Sequence, residues 1–209
     1  MGDEEYEDLL RPLLLPQLTY SRDEVLLGKP CPIPASSGLY AWFFDEVPPV
    51  VPVPERLAAV PWKVLYVGIA PKPVPRNGAR ASRRTIRDRV KEHLRGNAEG
   101  STLRLTLGCL LADQLGLELR RVGSGNRLTF VHGEQVLNDW LDAHARVSYL
   151  AVDSPRDVER VVIEREYLPL NLSDNRHNPF FEELTRIRKD AKAAARALPV
   201  VANPSGRGG

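Results

Sequence analysis

The chain is poor in the residues that staple or anchor a protein. Two cysteines, Cys31 and Cys109, occur in 209 residues. They lie far apart and match no metal-ligand spacing, which argues against a disulfide framework and against a structural zinc site. Both read as small buried hydrophobes in a reducing compartment. No apolar run approaches the roughly 18 residues that a membrane-spanning helix requires. The first eight residues, MGDEEYED, are acidic where a secretory signal is basic and then apolar. No serine has the context of a catalytic triad, so a serine-nucleophile enzyme is not expected. Lysine is scarce, 6 against 23 arginines, a bias that GC-rich coding produces and that carries no function by itself. What remains, 43% hydrophobic and 27% charged residues, is an ordinary globular mixture. These features predict a soluble, cytoplasmic protein.

Charge is plentiful but unevenly placed. The formal net charge is only +2, yet residues 1–30 hold seven acids against three bases. Residues 71–105 hold ten bases (among them Lys72, Arg76, Arg80, Arg83, Arg84, Arg87, Arg89, Lys91, Arg95 and Arg104) against three acids, a local charge of +7. Residues 182–209 carry a further +3. A basic block inside a near-neutral chain fits a polyanion partner such as nucleic acid, and fits equally a solvated helix face.

Periodicity and turn residues divide the chain. Residues 1–36 read as an N-terminal arm, with a short helix at about 4–15 that prolines then interrupt. Residues 37–44, SGLYAWFF, are predicted to be the first core strand. A proline-rich connector precedes a second strand at 62–67, ended by Gly68. After an arginine-rich loop, Ile86, Val90 and Leu94 fall at i, i+4, i+8 and predict a helix over 85–95, with Gly96 as its cap. A helix at 103–115 and a hairpin at 117–131 turning at Gly123–Asn126 follow. That GSGN segment lacks the strand-to-helix setting of a phosphate loop. Then come a helix at 134–144, a third core strand at 147–152, and a helix at 158–167 capped by Ser154 or Asp157. The longest helix lies at 180–198, with a frayed tail after Pro199. There is no internal repeat.

The residues with chemical potential sit at particular places in this frame. Gly38-Leu39-Tyr40 and Tyr66-Val67-Gly68 each put an exposed-looking tyrosine beside a glycine. Arg89 and His93, at i, i+4, share one face of the basic helix about 100° from its apolar stripe, able to meet a ligand. Glu159 lies on a helix whose inward residues read as Val158, Val161 and Val162, and a carboxylate there needs a partner or a cation. Asn171 follows twelve residues later. His132, His144 and His177 read as surface or loop residues.

In this order the motifs resemble the GIY-YIG nuclease superfamily. The two tyrosine–glycine segments resemble its double signature, residues 86–93 its arginine helix, and Glu159 through Pro169 and Asn171 its metal-binding glutamate helix and terminal asparagine. The resemblance spans about residues 37–178, and its specificity lies in the ordered set. Segments 101–130 and 171–180 resemble a bacterial subgroup. Leu39 and Val67 replace isoleucines, the gap from Gly68 to Arg89 is long, and residues 100–146 read as an insertion. The resemblance implies an α/β (α+β) fold. A small, mainly antiparallel three-stranded sheet would be flanked by helices, with an inserted helix–hairpin–helix segment. The nuclease-like domain would occupy residues 37–180, followed by a C-terminal helix and tail at 181–209.

It also implies a metal-dependent endonuclease that cuts phosphodiester bonds, in DNA rather than RNA. One Mg²⁺ or Mn²⁺ ion would be held by Glu159, because magnesium needs only one or two carboxylates. Tyr40, Tyr66, Arg89, His93, Glu159 and Asn171 would form the catalytic set. Arg83, Arg84, Arg87, Lys91 and Arg95 would contact nucleic acid. Arg89 would stabilise phosphate charge, and Asn171 would position a phosphate or a backbone strand. The proton acceptor would be a tyrosine or His93, with the imidazole favoured because its reference pKa is near 6.5. Two other readings use the same sequence: a nucleic-acid-binding module that does not cut, and a protein-interaction scaffold.

Overall fold

Seven successive residues, Gly38–Phe44, form the strand β1 at the centre of the molecule, and all seven are buried. The structure is a computed structural model that describes residues 2–71 and 82–202. In chain order its elements are α1 (Asp3–Leu14), α2 (Arg22–Leu27), β1, α3 (Glu55–Ala58), β2 (Lys63–Ala70), α4 (Ile86–Arg95) and α5 (Thr102–Leu110). There follow α6 (Ala112–Leu115), β3 (Arg120–Val122), β4 (Arg127–Thr129), α7 (Gly133–His144), β5 (Ala145–Ala151), α8 (Pro155–Arg165) and α9 (Phe181–Ala197). The central sheet has the order β2-β1-β5 with both pairings antiparallel, and β3 and β4 form a separate hairpin. The small antiparallel sheet flanked by helices expected from sequence is thus present.

Alternation along β1 divides the core in two. Tyr40, Trp42 and Phe44 point into a cluster with Ile86, Val90 and Leu94 of α4 and with residues of α5 and α7. Leu39, Ala41 and Phe43 point the other way, toward Tyr6, Leu10 and Leu13 of α1 and Val162 and Ile163 of α8. The N-terminal helix therefore lies on the sheet. It is tied down by the Ser148 hydroxyl, which donates to the Leu13 carbonyl (2.6 Å), and by the Tyr6 hydroxyl, which donates to Glu166 (2.8 Å). The outer edge of β5 is covered where Tyr20 exchanges backbone hydrogen bonds with Val147, which closes one free edge.

Several boundaries differ from the sequence expectations. Strand β2 does not end at Gly68 but runs through it to Ala70. Gly68 pairs with Tyr40, and a Cβ there would lie 2.5 Å from the Tyr40 hydroxyl oxygen. The glycine is a gap for the phenol, not a stop. The helix expected at 103–115 is two helices that meet at Leu111. The helix α8 starts at Pro155, a residue suited to the first helical turn. Ser154 occupies its cap position without a side-chain hydrogen bond, and Asp157 lies in the first turn. Its buried residues are Pro155, Val162 and Ile163, while Val158 and Val161 are only half-buried. The tail is not frayed immediately after Pro199, because Val201 bridges Val122 and takes part in two backbone hydrogen bonds.

Other expectations agree with the fold. Of the two free cysteines, Cys109 is buried as expected, whereas Cys31 is only half-buried. The GSGN segment is the β3–β4 turn, with Gly123 and Gly125 at positive φ. Among the described residues, no helix is long and apolar enough to cross a membrane.

Candidate active site

The helix α4 carries two of the expected residues, and its start is locally encoded. Thr85 and Asp88 form a reciprocal capping box, each side chain accepting from the other's backbone N–H. With the helix phase fixed, Ile86, Val90 and Leu94 enter the core, and Arg89 and His93 follow them, His93 against Tyr40 and Trp42 of the central strand. Neither is exposed. Arg89 is 4% accessible and His93 not at all. The tyrosines are buried too, Tyr40 at 1% and Tyr66 at 9%. The exposed appearance of these side chains in the sequence was misleading, because the strand face that bears them is the one α4 covers.

These groups converge on one ring. The Tyr40 hydroxyl lies 2.9 Å from His93 Nε2. The imidazole also meets Trp42 edge-on at 6.0 Å and Tyr66 edge-on at 6.0 Å between centroids. Its other nitrogen, Nδ1, lies 2.6 Å from Ser101 Oγ. That oxygen already accepts the Arg104 backbone N–H as the cap of α5. A buried hydroxyl proton needs an acceptor, and Nδ1 is the one beside it. With Ser101 donating to Nδ1, the imidazole proton lies on Nε2, directed at the Tyr40 oxygen; the opposite tautomer reverses both bonds.

Electrostatics sharpen the picture. Burial, and next the neighbouring Tyr66, raise the Tyr40 hydroxyl far above its usual range, and Arg89 offsets part of this. Burial likewise pushes Tyr66 up to about 12 against the opposing charge of Arg89. Both phenols hold their protons at neutral pH. Arg89 pairs with Glu92, which also pairs with Arg84. The Arg89 Nε–H finds no hydrogen-bond partner among the described residues. Glu159 is close enough to influence both phenols. Burial first, then the charge of Asp174, pushes its carboxyl up to about 7.

Asn171 has a different task. Its side chain donates to the Val67 carbonyl (2.8 Å) and accepts from the Val67 N–H (2.9 Å). It splints the outer edge of β2 next to Tyr66.

A family model described as GIY-YIG catalytic domain matches residues 38–190. The chain belongs to the GIY-YIG family. Comparison with curated proteins and with solved structures gives no match. The family's domain is of nuclease type, and its two signature glycines have clear jobs in this chain. Gly38 adopts φ +146° where a Cβ would strike the Leu150 carbonyl, and Gly68 makes room for Tyr40.

The basic residues of this GIY-YIG domain separate into groups. Arg104 is wholly buried and is not part of any surface patch. It bonds the Glu134 carboxylate (2.7 Å), the Asn138 side chain (2.8 Å) and the His93 carbonyl (3.2 Å). Arg87 donates to the Ile33 carbonyl (2.7 Å), and Arg84 is held by Glu92. Arg83 and Arg95 are exposed and Lys91 is half-buried. Lys72, Arg76 and Arg80 lie outside the described residues. His132 and His177 are exposed, and His144 pairs with Asp45 and Glu46 at 3.0 and 3.3 Å.

Four residues near the cluster were not singled out from sequence: Ser101, Glu92, Asp174 and Arg188. Arg188 of α9 donates to Thr106 (3.1 Å) and influences Tyr66 electrostatically. Ser101 is one of many serines at a helix start, and Arg188 is one of several bases on a long helix. No local pattern distinguishes them.

Proposed function

We propose that this GIY-YIG domain is a metal-dependent endonuclease that hydrolyses phosphodiester bonds in DNA. The observation that supports this most is Arg89, a buried guanidinium with an unpartnered Nε–H beside two phenols and a carboxylate. Glu92 meets part of its charge, and the spare donor on its planar fork suits a phosphate oxygen.

The donor set fits a hard cation. Glu159 supplies one carboxylate, and among the described residues no group of three or more His, Cys, Asp or Glu side chains gathers as a zinc site does. Mg²⁺ or Mn²⁺ takes one or two carboxylates and keeps several waters. Such an ion would be held by Glu159, and when bound it supplies polarisation of the phosphate and stabilisation of the leaving oxygen. Arg89 neutralises charge that develops on the non-bridging oxygens. Tyr40 and Tyr66 act as hydrogen-bond donors to water or phosphate at neutral pH. His93, bonded through Nε2 to Tyr40, orients that phenol and stabilises it if it yields its proton. Asn171 keeps β2, and so Tyr66, in register.

The test is cleavage of end-labelled single-stranded, duplex and branched DNA with Mg²⁺, Mn²⁺ or a chelator. Wild type is expected to cut only with metal, and Glu159→Ala is expected to bind DNA but not cut it. Cutting by the alanine variant at the wild-type rate overturns the proposal.

A further inference from the structure

The helix α9 has two chemically distinct faces. On one, Arg186 is neutralised by Glu183 (2.6 Å) and Asp190 (3.0 Å). On the other, Arg188, Lys192 and Arg196 recur every four residues, with Lys189 beside them. None of these four makes an ion pair among the described residues, while their neighbour Arg186 makes two. A rise of 1.5 Å per residue sets the three successive cations about 6 Å apart along the helix.

These cations line a groove. Arg188, Lys189, Lys192 and Arg196, with Leu172 and Thr185, enclose a cavity of about 330 Å³. Two observations relate it to the site already described. Leu172 is the residue after Asn171, which clamps β2, and the Arg188 charge is felt by Tyr66.

We infer that the basic face of α9 is a track for the phosphate backbone of the nucleic-acid strand where it runs past Tyr66. The inference rests on the nuclease reading and deepens it by naming where the strand lies. Spacing of one cation per helical turn suits a repeating anion better than a single one. The groove is open, and four of its six lining residues carry a positive charge, which suits a phosphate backbone. Crowding points the same way. Burial lowers the Arg188 guanidinium, and burial followed by Arg188 repulsion lowers the Lys192 ammonium. A row of anions relieves that repulsion.

The experiment measures binding of a fluorescein-labelled 20-nucleotide strand and its duplex to the full chain across a salt series. The variants are Lys192→Gln/Arg196→Gln, Lys189→Gln/Arg196→Gln as a second pair, and Arg186→Gln as the control face. Circular dichroism monitors folding. Each lost phosphate contact removes about 0.9 from the salt slope on duplex DNA and about 0.7 on a single strand. Each double variant is therefore expected to flatten the duplex slope by about 1.8 and weaken binding at least tenfold, with Arg186→Gln unchanged. Hydrolysis of bis(p-nitrophenyl) phosphate, which is too small to reach α9, is expected to be equal in wild type and double variants. Folded double variants that keep the wild-type slope overturn the track alone. A wild type that neither binds nor cuts any nucleic acid overturns the nuclease reading beneath it. Loss of binding to phosphatidylserine vesicles with DNA affinity intact also overturns the track, and makes this face a membrane contact.

Discussion

Glu159 shows how a single side chain can hold tension that the rest of the fold absorbs. Its folded pKa of about 7 stands above its ordinary value of 4.5, chiefly through burial. A carboxyl raised in the folded state favours folding at low pH, and that advantage is lost as pH rises from about 4.5 through 7. Without divalent metal, Glu159→Gln is expected to unfold at a higher temperature than wild type at pH 8. The gap should shrink on going to pH 5, as thermal melts at both pH values will reveal. A constant gap contradicts the burial argument. Ser101 bears on the tautomer of His93 through its contact with Nδ1. Nitrogen chemical shifts of His93 should show Nε2 protonated and Nδ1 bare in wild type, with mixed tautomers in Ser101→Ala. A wild-type imidazole protonated on Nδ1 would reverse the roles assigned to Ser101 and Tyr40.

At the scale of elements, the site depends on clamps between segments distant in sequence. Asn171 satisfies both the N–H and the carbonyl of Val67 across 104 residues of chain. Asn171→Ala strands two buried backbone groups, at about 1–3 kcal/mol each before relaxation. A loss of about 2–4 kcal/mol in urea unfolding at an unchanged slope is expected. The elements were largely legible beforehand, for physical reasons. Ile86, Val90 and Leu94 carry a clear 3.6-residue period, and the Thr85–Asp88 box is local chemistry. The aromatic, β-prone run at residues 37–44 likewise marks β1. The end of β2 was not legible. A glycine in a strand reads as punctuation, and only the pairing of Gly68 with Tyr40 shows that it serves a ring from another strand. The exposure of the tyrosines and of His93 was illegible for the same reason, since burial depends on which helix covers which face.

Across the whole molecule, the segment 100–146, which reads from sequence as an insertion, is joined to the candidate site through Arg104. That buried side chain ties α5 to Glu134 and Asn138 of α7 and to the His93 carbonyl of α4. Sequence placed Arg104 in the basic block, because charge counts do not distinguish a core guanidinium from a surface one. Replacing it by methionine leaves Glu134 without its cation. The expected loss is about 3–5 kcal/mol, and salt should change this loss little, because the pair is shielded from ions. The family match establishes the nuclease-type domain, and on the function proposed above Arg89 and its neighbours are where a phosphodiester is broken. Arg89→Lys tests this most directly, since it keeps the charge but removes the fork. Single-turnover cleavage of labelled DNA with Mn²⁺, measured beside the dissociation constant, is expected to slow by roughly 10²–10³-fold while affinity stays nearly constant. An Arg89→Lys protein that cuts as fast as wild type would place the chemistry elsewhere.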